Sequence, residues 1–201
     1  MAPLAAIGFK LHTGWAAAVA ISGGPGELQG PLRRRVELLP SSNPSLRFVY
    51  HEASKLPASQ AEEFVRRARA TAQETARIAV ADILAYIRAH NFEIRAAGIS
   101  LSSRTVPADL SVVLRSHPVI HTAEGVLFQQ VVASACADNG LKVISARERE
   151  IWSNAAGAWG LKEAELRKQI DGLRKSMGAP WATDQKIAAA YAMLALRRED
   201  A

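Results

Sequence analysis

Two apolar stretches, Ala5–His12 and Trp15–Ser22, open the chain with only Thr13-Gly14 between them. Apolar runs separated by so short a glycine-containing step predict a hairpin. The loop signal Ser22–Pro31 (SGGPGELQGP) follows, then a third stretch, Leu32–Leu39, which extends the hairpin to an antiparallel meander. Side chains alternate across a strand, so Arg33, Arg35 and Glu37 share one face while Arg34 joins Leu32, Val36 and Leu38 on the other. Such a strand suits a sheet edge, where charge discourages pairing with another chain; a phosphate-binding stripe is the alternative.

The period then lengthens. Pro40–Pro57 reads as a connector with room for a short strand at Arg47–His51. Ser59 has the character of an N-cap, with Glu62 three residues on. Val65, Ala68, Ala72, Ala76, Ala79, Ile83 and Ile87 recur at spacings of three and four, which predicts one long amphipathic helix. Arg66, Arg69, Gln73 and Arg77 lie towards its other side, as a solvated face or a binding ridge. Ala96–Leu101 suits a buried strand, and Ser102–Asp109 a polar loop. Ser116-His117-Pro118 opens a second helix that runs to about Asn139, where Gly140 stops it. Leu141–Ser145 is a further strand, and from Arg147 the chain is helical in at least two pieces, broken around Gly178–Pro180. No repeat and no second composition regime interrupts this order, so residues 1–201 are expected to form one α/β domain.

Composition narrows the class. Hydrophobic residues are 49% and charged residues 22% of 201, enough burial to exclude a disordered tail, a collagen-like repeat or a coiled coil as the main body. The net charge of +6 permits a polyanion partner without requiring one. Cys136 is alone, so neither an internal disulfide nor a cysteine-based zinc site staples the chain. The amino terminus lacks a basic region before its apolar stretch, and no window offers about 18 uncharged apolar residues. A cytoplasmic protein with no membrane partner is expected.

Three strands followed by strands joined through helices is the ribonuclease H-like order, here with a five-stranded mixed sheet and flanking helices. Ile7-Gly8-Phe9-Lys10-Leu11-His12-Thr13-Gly14-Trp15-Ala16 resembles the first hairpin of the RuvC family of Holliday-junction resolvases, approximately I-G-I-D-P-G-x-T-G-W-A. Ala123-Glu124-Gly125-Val126-Leu127, followed by Asp138-Asn139-Gly140-Leu141-Lys142-Val143, resembles that family's A-R-G-helix-x-x-G-L-x-V stretch. Arg147-Glu148-Arg149-Glu150-Ile151 with Gly157, Lys162 and Gln169 resembles its P-R-E-V-K-K…G…K…Q element, and Asp184-Gln185-Lys186-Ile187-Ala188-Ala189-Ala190 its D-x-x-D-A-x-A. The likeness spans most of the chain but skips Pro40–Leu56.

That resemblance implies two-metal hydrolysis of phosphodiesters by carboxylates on the first strand, the fourth strand and the last helix. In this sequence the first-strand position holds Lys10, the fourth-strand position falls in Ser100–Ser102, and the second position of the last helix holds Ile187; only Asp184 matches. An ammonium repels the ion that a carboxylate would attract, so the resemblance implies a RuvC-like domain that is catalytically inactive and has no cofactor. Lys10 is expected either to reach solvent, to pair with Asp184 in place of the metal, or to hold an anionic ligand. The candidate ligand pocket is Lys10, His12, Ser102 and Asp184. It leaves an alternative function, an enzyme or sensor of another class that binds a small phosphorylated or carboxylated ligand in the degenerate site.

Other constellations are weaker. His117, His121 and Glu124 have the spacing H-x-x-x-H-x-x-E, which places them on one helical face, but capping and dipole effects also suit them, and no metal site is expected. His51 and His90 occupy connector-like positions. Ser102 or Ser103 beside His12 or His121 lacks a nucleophile elbow, and Gly23-Gly24-Pro25-Gly26 lacks the ending of a P-loop. In the last third, Lys162, Arg167, Lys168, Arg174 and Lys175 accompany Trp152, Trp159 and Trp181. These cations are the candidate nucleic-acid contacts, with the indoles either stacking on bases or filling the core. Nucleic acid or a protein is the expected partner, and the resemblance allows a dimer.

Overall fold

The computed structural model describes residues 2–40, 44–100, 102 and 104–199. Its five strands are β1 (Leu4–His12), β2 (Trp15–Ser22), β3 (Gln29–Glu37), β4 (Glu93–Ser100) and β5 (Lys142–Ala146), laid side by side in the order β3-β2-β1-β4-β5. The meander is antiparallel, with His12 opposite Trp15 across the first turn and Trp15 opposite Glu37 across the second pair. β4 runs parallel to β1, and β5 parallel to β4. The helical crossovers require this arrangement, because parallel neighbours cannot be joined by a tight turn. All three parallel strands therefore end at the same edge of the sheet. Leu101, read as the end of the fourth strand, and Ser103 lie outside the described residues.

One face of the sheet is covered by α1 (Val49–Ala53), α2 (Ala58–Ala89), α3 (Leu110–Leu114) and α4 (His117–Asp138). Of the series that the spacing picks out in α2, Ala68, Ala72, Ala76, Ile83 and Ile87 are buried and Val65 and Ala79 half-buried, while Ala61 and Val80 complete the buried face. Ser59 is not its N-cap, however; the helix starts at Ala58 behind Pro57, whose fixed φ suits a helix entrance and leaves Ser59 inside the first turn. Nor is Arg47–His51 a strand. Pro44–Phe48 is a 3₁₀ turn that runs into α1, because Val49, Tyr50 and Ala53 form a one-sided apolar face that packs between α2 and α4. His117 lies within α4, with Pro118 in the first turn, where its missing N–H costs no hydrogen bond.

The opposite face carries α5 (Ile151–Ala158), α6 (Glu163–Gly172), α7 (Arg174–Met177) and α8 (Thr183–Glu199). α8 crosses β1, β2 and β4, and its residues from Ala188 to Ala195 are fully buried. It approaches the sheet this closely because Gly8 and Gly98 face each other on β1 and β4. A Cβ on Gly8 would stand 1.9 Å from the carbonyl oxygen of Ala188, and one on Gly98 2.2 Å from that of Tyr191. The two glycines and the alanines of α8 thus set the depth at which the last helix sits, and with it the height of Asp184 in its first turn. Among the described residues, no helix is long and apolar enough to cross a membrane.

Candidate functional site

Period two places Gly8, Lys10 and His12 of β1 on the face that α8 covers. Lys10 and His12 emerge where the parallel strands end, next to the first turn of α8 and the 3₁₀ turn Glu148–Glu150 that follows β5. Lys10 does not pair with Asp184. Its ammonium donates to Glu148 Oε2 at 2.6 Å, with the lysine side chain 16% and the glutamate 43% exposed. Asp184 instead accepts from His12 Nε2 at 3.0 Å. Two separate pairs form because the 3₁₀ turn after β5 brings a second carboxylate, Glu148, within reach of the ammonium. Glu148 also acts on Tyr191, whose phenol is raised well above its usual range by burial and then by this negative charge. The neutral hydroxyl donates to the carbonyl of Ala146 at 3.1 Å.

A stacked column extends from this edge. The His12 imidazole lies 4.1 Å from the Trp15 ring, 7° from parallel, and the Arg35 guanidinium lies 3.7 Å from the same indole. Strand order puts Trp15 between them, so the column Arg35, Trp15, His12, Asp184 runs across β3, β2, β1 and α8. Arg33, on the same face of β3, is held by the carbonyls of Met177 and Pro180 at 3.3 and 3.2 Å. Arg35 is the more exposed of the two, and its guanidinium also pairs with the Glu37 carboxylate on the same strand.

Ser102 is not brought into this cluster. Its N–H donates to Gln129 Oε1 at 2.9 Å and its hydroxyl to the carbonyl of Arg104, and among the described residues no hydrogen bond joins it to Lys10, His12 or Asp184. The same Gln129 donates to the Ser100 hydroxyl at 3.3 Å, so it fixes the end of β4. Ile187 is buried on α8, facing the core with Ala188.

Comparison with known proteins supplies structure and no sequence relative. No protein-family model matches the chain, and no curated protein matches it. Among solved structures, T. thermophilus RuvC in complex with Holliday junction substrate aligns with a TM-score of 0.54 and 12% identity, over 94% of this chain and 91% of that one. The chain has a RuvC-like ribonuclease H fold. A Thermus thermophilus RuvC structure also aligns, at 13% identity over 94% and 92% of the two chains, with a TM-score of 0.47.

In this RuvC-like fold the carboxyl-terminal tryptophans are structural. Trp181 is buried and donates to the carbonyl of Ile170 at 3.0 Å, while Trp159 donates to that of Met193 at 2.9 Å. Trp152 is covered by the Arg167 guanidinium at 3.9 Å, which also pairs with Glu163. Arg167 thus occupies one face of the Trp152 indole. Lys162, Lys168, Arg174 and Lys175 are exposed along α6 and α7.

A second cluster, on the other face of the sheet, includes a residue that the sequence reading set aside. His51 on α1 meets His117 and His121 of α4, with ring centroids 4.4 to 5.1 Å apart. Glu124, 1% exposed, accepts through Oε1 from the His51 ring at 2.9 Å and from the His51 backbone N–H at 3.3 Å. The H-x-x-x-H-x-x-E spacing was visible in the sequence, but no local signal pointed to His51. Its arrival depends on α1 folding against α4.

Proposed function

We propose that the chain is a single RuvC-like domain without two-metal nuclease activity, which serves as a binding module for nucleic acid. The observation that carries the first half is the Lys10–Glu148 contact of 2.6 Å at the end of β1. Divalent magnesium or manganese needs several oxygen donors in a near-octahedral shell. The residues at this edge do not fit that need: Lys10 brings a positive charge, Glu148 is spent neutralising it, and Asp184 already accepts from His12. No hydrolytic step is therefore assigned here. The pairing also counts against the small-anion alternative, since the spare cation such a ligand needs has an internal partner.

The second half is supported by the fold shared with a resolvase solved on a Holliday junction, by the net charge of +6, and by the exposed cations Lys162, Lys168, Arg174 and Lys175. Arg167 belongs to this group by position, but with its ion pair to Glu163 it contributes less. Phosphate contacts by Lys and Arg release counterions, so affinity falls steeply with added salt.

The test is fluorescence anisotropy with four-way-junction, duplex and single-stranded DNA across a salt series, with a parallel cleavage assay in magnesium and manganese. Expected are salt-steep binding, loss of part of the salt slope in a Lys168→Ala/Arg174→Ala/Lys175→Ala variant, and no cleavage. Metal-dependent cutting that survives repurification and disappears in Asp184→Asn overturns the inactive reading. Absence of binding at low salt overturns the nucleic-acid reading.

A further inference from the structure

We propose that His51, His117 and His121 form a binding site for a divalent transition-metal ion, zinc in the first instance, with Glu124 orienting one of its ligands. Each histidine offers one nitrogen, and these atoms lie within 4.8 Å of one another. A tetrahedral zinc with Zn–N bonds of about 2.0–2.1 Å spaces its nitrogens roughly 3.3 Å apart. The cluster is thus preassembled to within small side-chain rotations. His117 and His121 stand one helical turn apart on α4, the i, i+4 spacing by which two imidazoles on one helix chelate a single ion.

The partners of these rings point the same way. Among the described residues, no hydrogen bond uses a ring nitrogen of His117 or His121. His51 differs, because its Nδ1 is taken by Glu124, which leaves Nε2 as the nitrogen free for a ligand. A carboxylate on the far nitrogen of a ligating histidine fixes its tautomer and ring orientation and makes it a better donor. Glu124 is nearly inaccessible, and a carboxylate held in that way is costly unless positive charge stands nearby. A cation held by the three rings supplies that charge.

The donor chemistry selects the metal class. Three imidazoles suit zinc, copper, nickel or cobalt and are poor ligands for magnesium or calcium, which want oxygen. Three protein ligands leave a fourth position open, as in zinc sites that keep a water. A cleft of about 330 Å³ lies beside His121 and Glu124 and is bounded by Leu11, His12, Thr13 and Phe48, so it has room for such a water. The site lies on the face opposite the Lys10–Glu148 pair, and it stands whether or not the chain binds nucleic acid.

The experiment uses the full untagged chain, stripped with chelator and titrated with zinc by calorimetry, with cobalt as a spectroscopic stand-in. Expected are one ion per chain, visible cobalt bands of the strength that four-coordinate geometry gives, and no response to magnesium. His117→Ala and His121→Ala replace exposed residues, so the fold should persist while affinity falls at least 100-fold. Glu124→Gln should weaken zinc 10–100-fold, as for loss of an outer partner of a ligand. Failure to bind one zinc saturably, or unchanged affinity in the His117→Ala/His121→Ala double variant, overturns the site. Should Glu124→Gln fail to fold, the cobalt spectrum of His51→Gln decides: retention of the four-coordinate bands removes His51 from the ligand set and refutes the proposal.

Discussion

Replacing Gly8 by alanine tests the packing that positions the site. The added Cβ would lie 1.9 Å from the Ala188 carbonyl oxygen and 2.4 Å from the Ala192 nitrogen, where a carbon and a carbonyl oxygen ordinarily stay about 3.3 Å or more apart. Both obstacles are backbone atoms of α8, so no side-chain rotation relieves them and the helix must retreat by roughly an ångström. A gap of about 0.5–1 Å forfeits a quarter to a half of each dispersion contact along the buried face of α8. Overpacking of this kind costs about 1–3 kcal/mol, and the rigidity of the obstacle favours the upper end. Lower chain entropy in the unfolded state returns about 0.4–1 kcal/mol, leaving a net loss of about 2 kcal/mol. Gly98→Ala meets the Tyr191 carbonyl at 2.2 Å and should cost a similar amount. The double variant should cost less than the two added together, since one retreat of α8 relieves both clashes. Gly125→Ala on α4 is the control: its Cβ meets nothing within 4 Å, so it should stabilise by about 0.5–1 kcal/mol through helix propensity. Urea denaturation followed by circular dichroism reads all four variants. A Gly8→Ala protein as stable as the Gly125→Ala protein would refute this account of how α8 is seated.

Three further outcomes follow from the geometry. Glu148→Gln should destabilise by about 2 kcal/mol because it strands the largely buried Lys10 ammonium, whereas Lys10→Met should cost less than about 1 kcal/mol because the glutamate left behind is half exposed; denaturant midpoints that reverse this order would show that the pair is not the anchor described. Burial pushes the Cys136 thiol up to about 12, so at pH 8 it should resist a thiol-reactive dye in the native protein and label rapidly in denaturant; fast native labelling would contradict its burial. Because that folded value lies above the unfolded one, the thiol's contribution to stability is complete below about pH 8.5 and is lost as pH rises from there towards 12, which a pH series of melts on the protein and on Cys136→Ala would reveal.

Periodicity alone determined most of the architecture. The apolar runs Ala5–His12 and Trp15–Ser22, the alternation in Leu32–Leu39, the three-and-four spacing from Val65 to Ile87, and the glycine stop at Gly140 each report a local burial requirement, and an element formed at each, although the third strand begins earlier, at Gln29, and ends at Glu37. The segment Arg47–His51 misled because it is too short for period two and a single helical turn to differ, and its packing against α2 and α4 decided between them. The order of motifs was also enough to suggest the RuvC-like fold. Which charges meet was not written locally. Lys10 lies 138 positions from Glu148, and His51 lies 73 from Glu124. Such pairs depend on where the turn after β5 and helix α1 come to rest, to within an ångström or two. Electrostatic attraction and metal-ligand chemistry vary steeply over that distance, so they were fixed only when Gly8, Gly98 and the alanines of α8 set the depth of the last helix and when α1 docked against the first turn of α4.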